Sequence, residues 1–142
     1  MSKHKDAELI LRLYELRREP VMREARNWFI TFNPESVEDI KTVIFSDKGA
    51  YYRMVTSYWD MACSFVNHGA LDEEMFNDAN GEHVAVFAKI HPFIKQLREL
   101  FGSPNALKHL EKVVMRKDNA EAVLAAVRER FKGLAAARQQ QK

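Results

Sequence analysis

The residues through which this 142-residue chain could do chemistry are five histidines, one cysteine and a scatter of carboxylates. A helical di-metal centre needs a Glu-x-x-His pair on each of two helices, so that both ligands project from one face a turn apart. No such pair is present. The residue three places before His83 is Asn80, that before His91 is Ala88, and that before His109 is Ala106. Glu82 and His83 are neighbours, which on a helix point about 100° apart. His83 and His91 stand eight residues apart, roughly 12 Å along a helix and too far to share an ion. The run Asp78-Ala79-Asn80-Gly81 has the look of a calcium loop. With Gly81 in the sixth position, however, the first and twelfth positions fall on Phe76 and Phe87, and both end carboxylates are missing. That run is predicted to be a turn between helices, and no metal or cofactor is expected.

Cys63 would act as a nucleophile only if a base reached it and lowered its pKa. It follows Trp59 by four residues and precedes Val66 by three, which places it near an apolar helix face as a buried thiol. Ser57 and Ser64 lie in no Gly-x-Ser-x-Gly elbow, and no glycine-rich phosphate loop is present. No residue qualifies as catalytic. For a ligand-binding or enzymatic bundle the residue types worth watching are Tyr58, Asp60, His83 and His91, in a pocket near the helix kink that Pro92 should cause. Their convergence is not visible in the sequence.

Aromatic and basic residues suggest binding rather than reaction. Tyr51, Tyr52, Tyr58 and Trp59 crowd one segment, and their hydroxyl and indole groups suit semi-exposed surfaces. They form the candidate interface with a second copy or a protein partner, with core packing as the plainer reading. Arg12, Arg17, Arg18, Arg23 and Arg26 stud the first two helices, and Arg128, Arg130, Lys132 and Arg138 the last. A nucleic-acid face needs unopposed positive charge. Here Glu15, Glu19, Glu24 and Glu129 are interleaved at distances that allow local pairing, so a solvated helix face is expected and nucleic acid is disfavoured.

These residues must be positioned by helices, because no segment alternates with period 2. A first helix is expected over about Asp6 to Arg18, with Ala7, Ile10, Leu11 and Tyr14 on one stripe and Leu9, Leu13 and Leu16 broadening it. Pro20 either opens a second helix or kinks the first. Val21, Ala25, Trp28, Phe29 and Phe32 then recur at helical spacing. Ser36 caps a short third helix, Ser46 or Asp47 opens a long fourth, and His68-Gly69 ends it. Asp72, Glu73 and Glu74 start a fifth. The next helix runs from Gly81 to Phe101, with Phe101 facing inward and a kink near His91. Ser103-Pro104 is expected to start another. Asp118 or Asn119 opens the last, with Val123, Leu124, Val127, Phe131 and Leu134 facing the core and the tail from Ala135 onward frayed. The sum is an all-α, compact single-domain bundle of about six to eight helices over residues 1–142, ordered from about 5 to 137.

Composition agrees with this. With 46% apolar and 30% charged residues, the chain resembles a folded domain rather than a disordered one. Its net charge of +2 hides an asymmetry: residues 34–101 carry six basic and eleven acidic side chains, residues 102–142 nine and four. No stretch reads as a membrane span or a secretory signal, and the single cysteine excludes an internal disulfide. A cytoplasmic location is the expectation.

The runs Leu13-Tyr14-Glu15-Leu16, Met22-Arg23-Glu24-Ala25-Arg26-Asn27-Trp28 and Phe65-Val66-Asn67-His68-Gly69-Ala70-Leu71-Asp72-Glu73-Glu74, followed by His91-Pro92-Phe93-Ile94, resemble a group of small bacterial helical proteins catalogued only as domains of unknown function. That resemblance implies a bacterial cytosolic helical domain and brings no activity or site residue with it. The leading expectation is a non-enzymatic domain acting through self-association or a protein partner, and the alternative is a small-molecule-binding or enzymatic bundle.

Overall fold

Capping chemistry sets the helix boundaries in the computed structural model, which describes residues 2–141. Helix α1 (Lys3–Arg17) begins where the Ser2 hydroxyl accepts from the Lys5 N–H. Helix α2 (Pro20–Thr31) starts at Pro20 itself, with the Glu19 carboxylate accepting from Met22 N–H at 2.8 Å. Pro20 therefore separates two helices rather than kinking one. Its missing N–H costs nothing at a first helical position. Helix α3 (Val37–Ile44) is capped by Ser36, whose hydroxyl accepts from Asp39 N–H. Asp39 returns a carboxylate oxygen to Glu35 N–H at 2.9 Å.

Helix α4 (Gly49–Asn67) is the central rod. A side chain at Gly49 would collide with the Ile44 carbonyl, so the tight passage from α3 into α4 requires glycine. Gly69, in the left-handed conformation at φ +81°, ends the rod as the spacing predicts. Asp72 caps helix α5 (Glu73–Ala79) by accepting from Met75 N–H. Helix α6 (Glu82–Ile90) passes through a single 3-10 turn (His91–Phe93) into helix α7 (Ile94–Leu100). Pro92 lies in that turn, so the kink falls where expected. Taking α6 and α7 as one kinked rod, the described residues form eight helices and no strand.

One departure comes towards the C-terminal end. Ser103-Pro104 does not start a helix; helix α8 (Lys108–Met115) begins four residues later, after Leu107 in a left-handed conformation at φ 57°. The reason is tertiary. The Asp60 carboxylate of α4 accepts from the N–H groups of His109 and Leu110, at 3.1 and 3.0 Å. A distant side chain thus supplies the cap that Ser103 would have given. Helix α9 (Ala120–Gln140) stays helical to Gln140, carried by Ala, Arg and Gln, which lose little freedom in a helix. Residue 142 lies outside the described residues.

Trp59, Phe76, Phe87, Ile40, Ile90, Leu110 and Leu124 are fully buried around α4. Of the expected inward residues, Val123, Leu134 and Phe101 stay exposed, as do Leu11 and Tyr14 of α1. Leu11 and Tyr14 turn away from the edge of α1 that is buried, and Phe101, just past the end of α7, lies 6.0 Å from the exposed ring of Phe45. No described helix is long and apolar enough to cross a membrane.

Candidate functional site

The aromatic group on α4 is not an exposed surface. Trp59 has no solvent exposure, and Tyr52 and Tyr58 are buried. Only Tyr51 reaches the surface, where its hydroxyl donates to Glu24 at 2.8 Å. Tyr52 stacks on Phe29 with ring centroids 6.1 Å apart, and the Tyr58 hydroxyl donates to the Leu13 carbonyl. The indole N–H of Trp59 donates to Glu82 at 2.8 Å. The polar ends of Tyr58 and Trp59 are thus satisfied inside the monomer, and Tyr52, Tyr58 and Trp59 pack the core rather than offer an interface.

Tyr58, Asp60, His83 and His91 do not meet in one pocket. Tyr58 points to α1, and Asp60 caps α8. His83 is wholly buried between Trp59 and Phe76, with centroids at 5.6 and 4.9 Å. Its Nε2–H donates to the Asn77 side-chain carbonyl at 2.9 Å, and Nδ1 has no partner. Burial, aided by the positive charges of Lys117 and Arg17, pulls its pKa down to about 4. His83 is therefore a neutral core group at neutral pH. His91 pairs on the surface with Glu121 of α9 at 3.0 Å. Cys63 is fully buried and its thiol pKa is pushed up to about 12, chiefly by desolvation, so it is held as an inert thiol. Among the described residues no group of three or more His, Cys, Asp or Glu side chains is placed to hold a metal ion.

A cleft absent from the sequence reading opens between α2, α6 and α9. It encloses about 280 Å³. Phe29, Ile30, Val55, Val86 and Phe131 make its apolar walls, and Arg26, Glu82, Lys89 and Arg130 its charged points. Arg26 is committed: its guanidinium pairs with Glu82 at 3.0 Å and donates to the Arg17 carbonyl. Lys89 is 3% exposed, and its Nζ donates to the carbonyls of Phe29 and Ile30 at 2.8 and 2.9 Å. These are last-turn carbonyls of α2, so Lys89 closes that helix's C-terminus, where a cation is favoured. It also lies 4.5 Å from the Phe131 ring centroid. Burial lowers its pKa to about 8, because a low-dielectric surrounding penalises the ammonium.

One signal for this cleft was available in the sequence. Lys89 sits three residues after Val86 and four after Ala85, as a lone cation on the apolar side of its helix. Nothing local indicated that Phe131, more than forty residues later, would close over it.

The apolar flanks of α1 form the other unfilled feature. Helix α1 buries only Asp6 and Leu13. Leu9 and Leu16, seven residues apart, lie on one side of that stripe, and Leu11 and Tyr14 on the other. Their exposures are 41%, 44%, 61% and 51% in the same order.

No curated protein and no solved structure matches the chain. The family described as a domain of unknown function, DUF4760, matches residues 3–116, which run from α1 through α8 and leave α9 outside. Because that match covers most of the chain, the protein belongs to the DUF4760 family of domains of unknown function.

Proposed function

We propose that this domain works as a non-enzymatic helical module that associates with a protein surface, in the first instance a second copy of itself, through α1. The observation that carries this reading is the exposure of Leu9, Leu11, Tyr14 and Leu16 along one helix of fifteen residues. Single exposed apolar residues are ordinary, but here two pairs, Leu9 with Leu16 and Leu11 with Tyr14, flank the one edge by which α1 is held, so a partner packing along either flank meets two of them. Covering such side chains removes apolar area from water, at roughly 25 cal/mol per Å². Tyr14 also carries the Arg17 guanidinium 5.2 Å from its ring centroid, and Tyr and Arg are enriched where proteins meet.

Sedimentation velocity over a wide range of protein concentration tests the proposal. A reversible dimer is expected, and the double substitution Leu9→Glu with Leu16→Glu should return it to monomer without loss of helicity. A monomer at every concentration, unaltered by the substitutions, rejects self-association through α1. A second reading, a small-molecule-binding bundle, is favoured by the cleft beside Lys89.

A further inference from the structure

Among the described residues Lys89 is the one buried lysine or arginine, and it has no carboxylate within ion-pair distance. An ammonium has three N–H donors. Two go to the carbonyls of Phe29 and Ile30, and the third has no protein acceptor. Buried charges are ordinarily paired, because an unpaired one is costly in a low-dielectric surrounding. Arg130 also lines the cleft without a carboxylate partner, its guanidinium 5.5 Å from the Phe131 ring centroid. Arg26 and Glu82 neutralise each other. The cleft therefore presents two uncompensated cations beside an apolar wall.

We propose that this cleft binds a small amphipathic monocarboxylate, its carboxylate on Lys89 and Arg130 and its apolar body between Phe29, Val55, Val86 and Phe131. The volume sets the size. A cavity of about 150 Å³ accommodates benzene, so one nearly twice as large admits a ligand of roughly ten heavy atoms. The free donors set the head group, since Lys89 has one N–H left over, which suits a single carboxylate better than a phosphate monoester with three acceptor oxygens. The association reading concerns α1 and stands or falls separately.

Sodium octanoate and its neutral counterpart 1-octanol, titrated into the full chain and followed by amide nuclear magnetic resonance, make the test. Saturable shifts are expected at Ala85, Val86, Lys89 and Phe131. Octanoate should bind about tenfold tighter than octanol or better, because the charge-assisted hydrogen bonds exist only for the carboxylate. Lys89→Met should abolish that preference. Since this substitution also opens the C-terminus of α2, Ala85→Leu serves as the independent variant. It fills the cleft, leaves Lys89 on its carbonyls, and should remove binding of both probes. Arg130→Gln, at an exposed position, should lower the preference severalfold. Shifts that do not saturate or that centre elsewhere overturn the proposal. So do equal affinities for octanoate and octanol, or tight octanoate binding retained in Ala85→Leu.

Discussion

Helices α1 and α4 are both rich in large apolar residues, yet they end in different states. Nine of the nineteen residues of α4 are buried, including Trp59, Cys63, Ala62 and Val55 with no exposure. Of the fifteen residues of α1 only two are buried, and one of those is Asp6. The difference is one of neighbours. Helix α4 is met by α2, α3, α6 and α8, so successive faces close against partners, and Tyr51, Trp59 and Asp60 hydrogen-bond to them. Helix α1 is held along one narrow edge by Leu13, by the Tyr58 hydroxyl on the Leu13 carbonyl, and by Asp6 accepting from Asp72 N–H at 3.0 Å. Composition therefore measures how much surface a helix needs to bury. The packing decides whether the monomer buries it or leaves it for another molecule.

Substitutions can break or sharpen this contrast. Trp59→Ala should have the largest effect, costing about 3–5 kcal/mol in chemical denaturation. It empties the centre of the core and leaves Glu82 without its indole donor. A cost below about 1 kcal/mol would mean that α4 is not the anchor described. His83, packed on Trp59, makes the same region sensitive to acid. Its folded-state pKa of about 4 lies below the ordinary 6.5, so between these values the unfolded chain binds the extra proton. Stability from this group is complete above about pH 6.5 and falls as pH drops towards 4, by up to about 3 kcal/mol. In His83→Phe that part of the acid limb should flatten, which urea unfolding at a series of pH values would show; an identical slope in both proteins would contradict a neutral buried imidazole.

Asp60→Ala should cost about 1–2 kcal/mol and speed amide exchange at His109 and Leu110, the two donors that lose their acceptor. Exchange unchanged at both amides would show that α8 needs no cap from α4. At the small end, Leu16→Gln should change the stability of the monomer by less than about 0.5 kcal/mol. A cost comparable with a core substitution would place α1 inside the fold and remove the contrast.

Most helices were legible because their start and stop signals are local. Ser36, Asp72, Gly69 and the Pro92 kink act within one or two turns of their own position. The failures have a common cause in contacts over long distances along the chain. Ser103-Pro104 carries a good cap signal, yet Asp60, over forty residues earlier, supplies the cap elsewhere. Tyr58, Asp60 and His83 have residue types suited to an active site, but each is spent on a structural hydrogen bond whose partner lies on another element. Of the cleft only the lone Lys89 was legible, for the same reason, since Phe29, Lys89 and Phe131 are separated by some forty to sixty residues.

By itself, then, the sequence determined that the chain is helical, roughly where most of its helices begin and end, and that no described helix is long and apolar enough to cross a membrane. Those properties follow from hydrogen bonds and apolar spacing within a few residues. Only the tertiary structure decided which apolar stripes are covered, which carboxylates are caps, and where a buried ammonium meets an open cleft. Those depend on which helices lie side by side, and no local propensity records that.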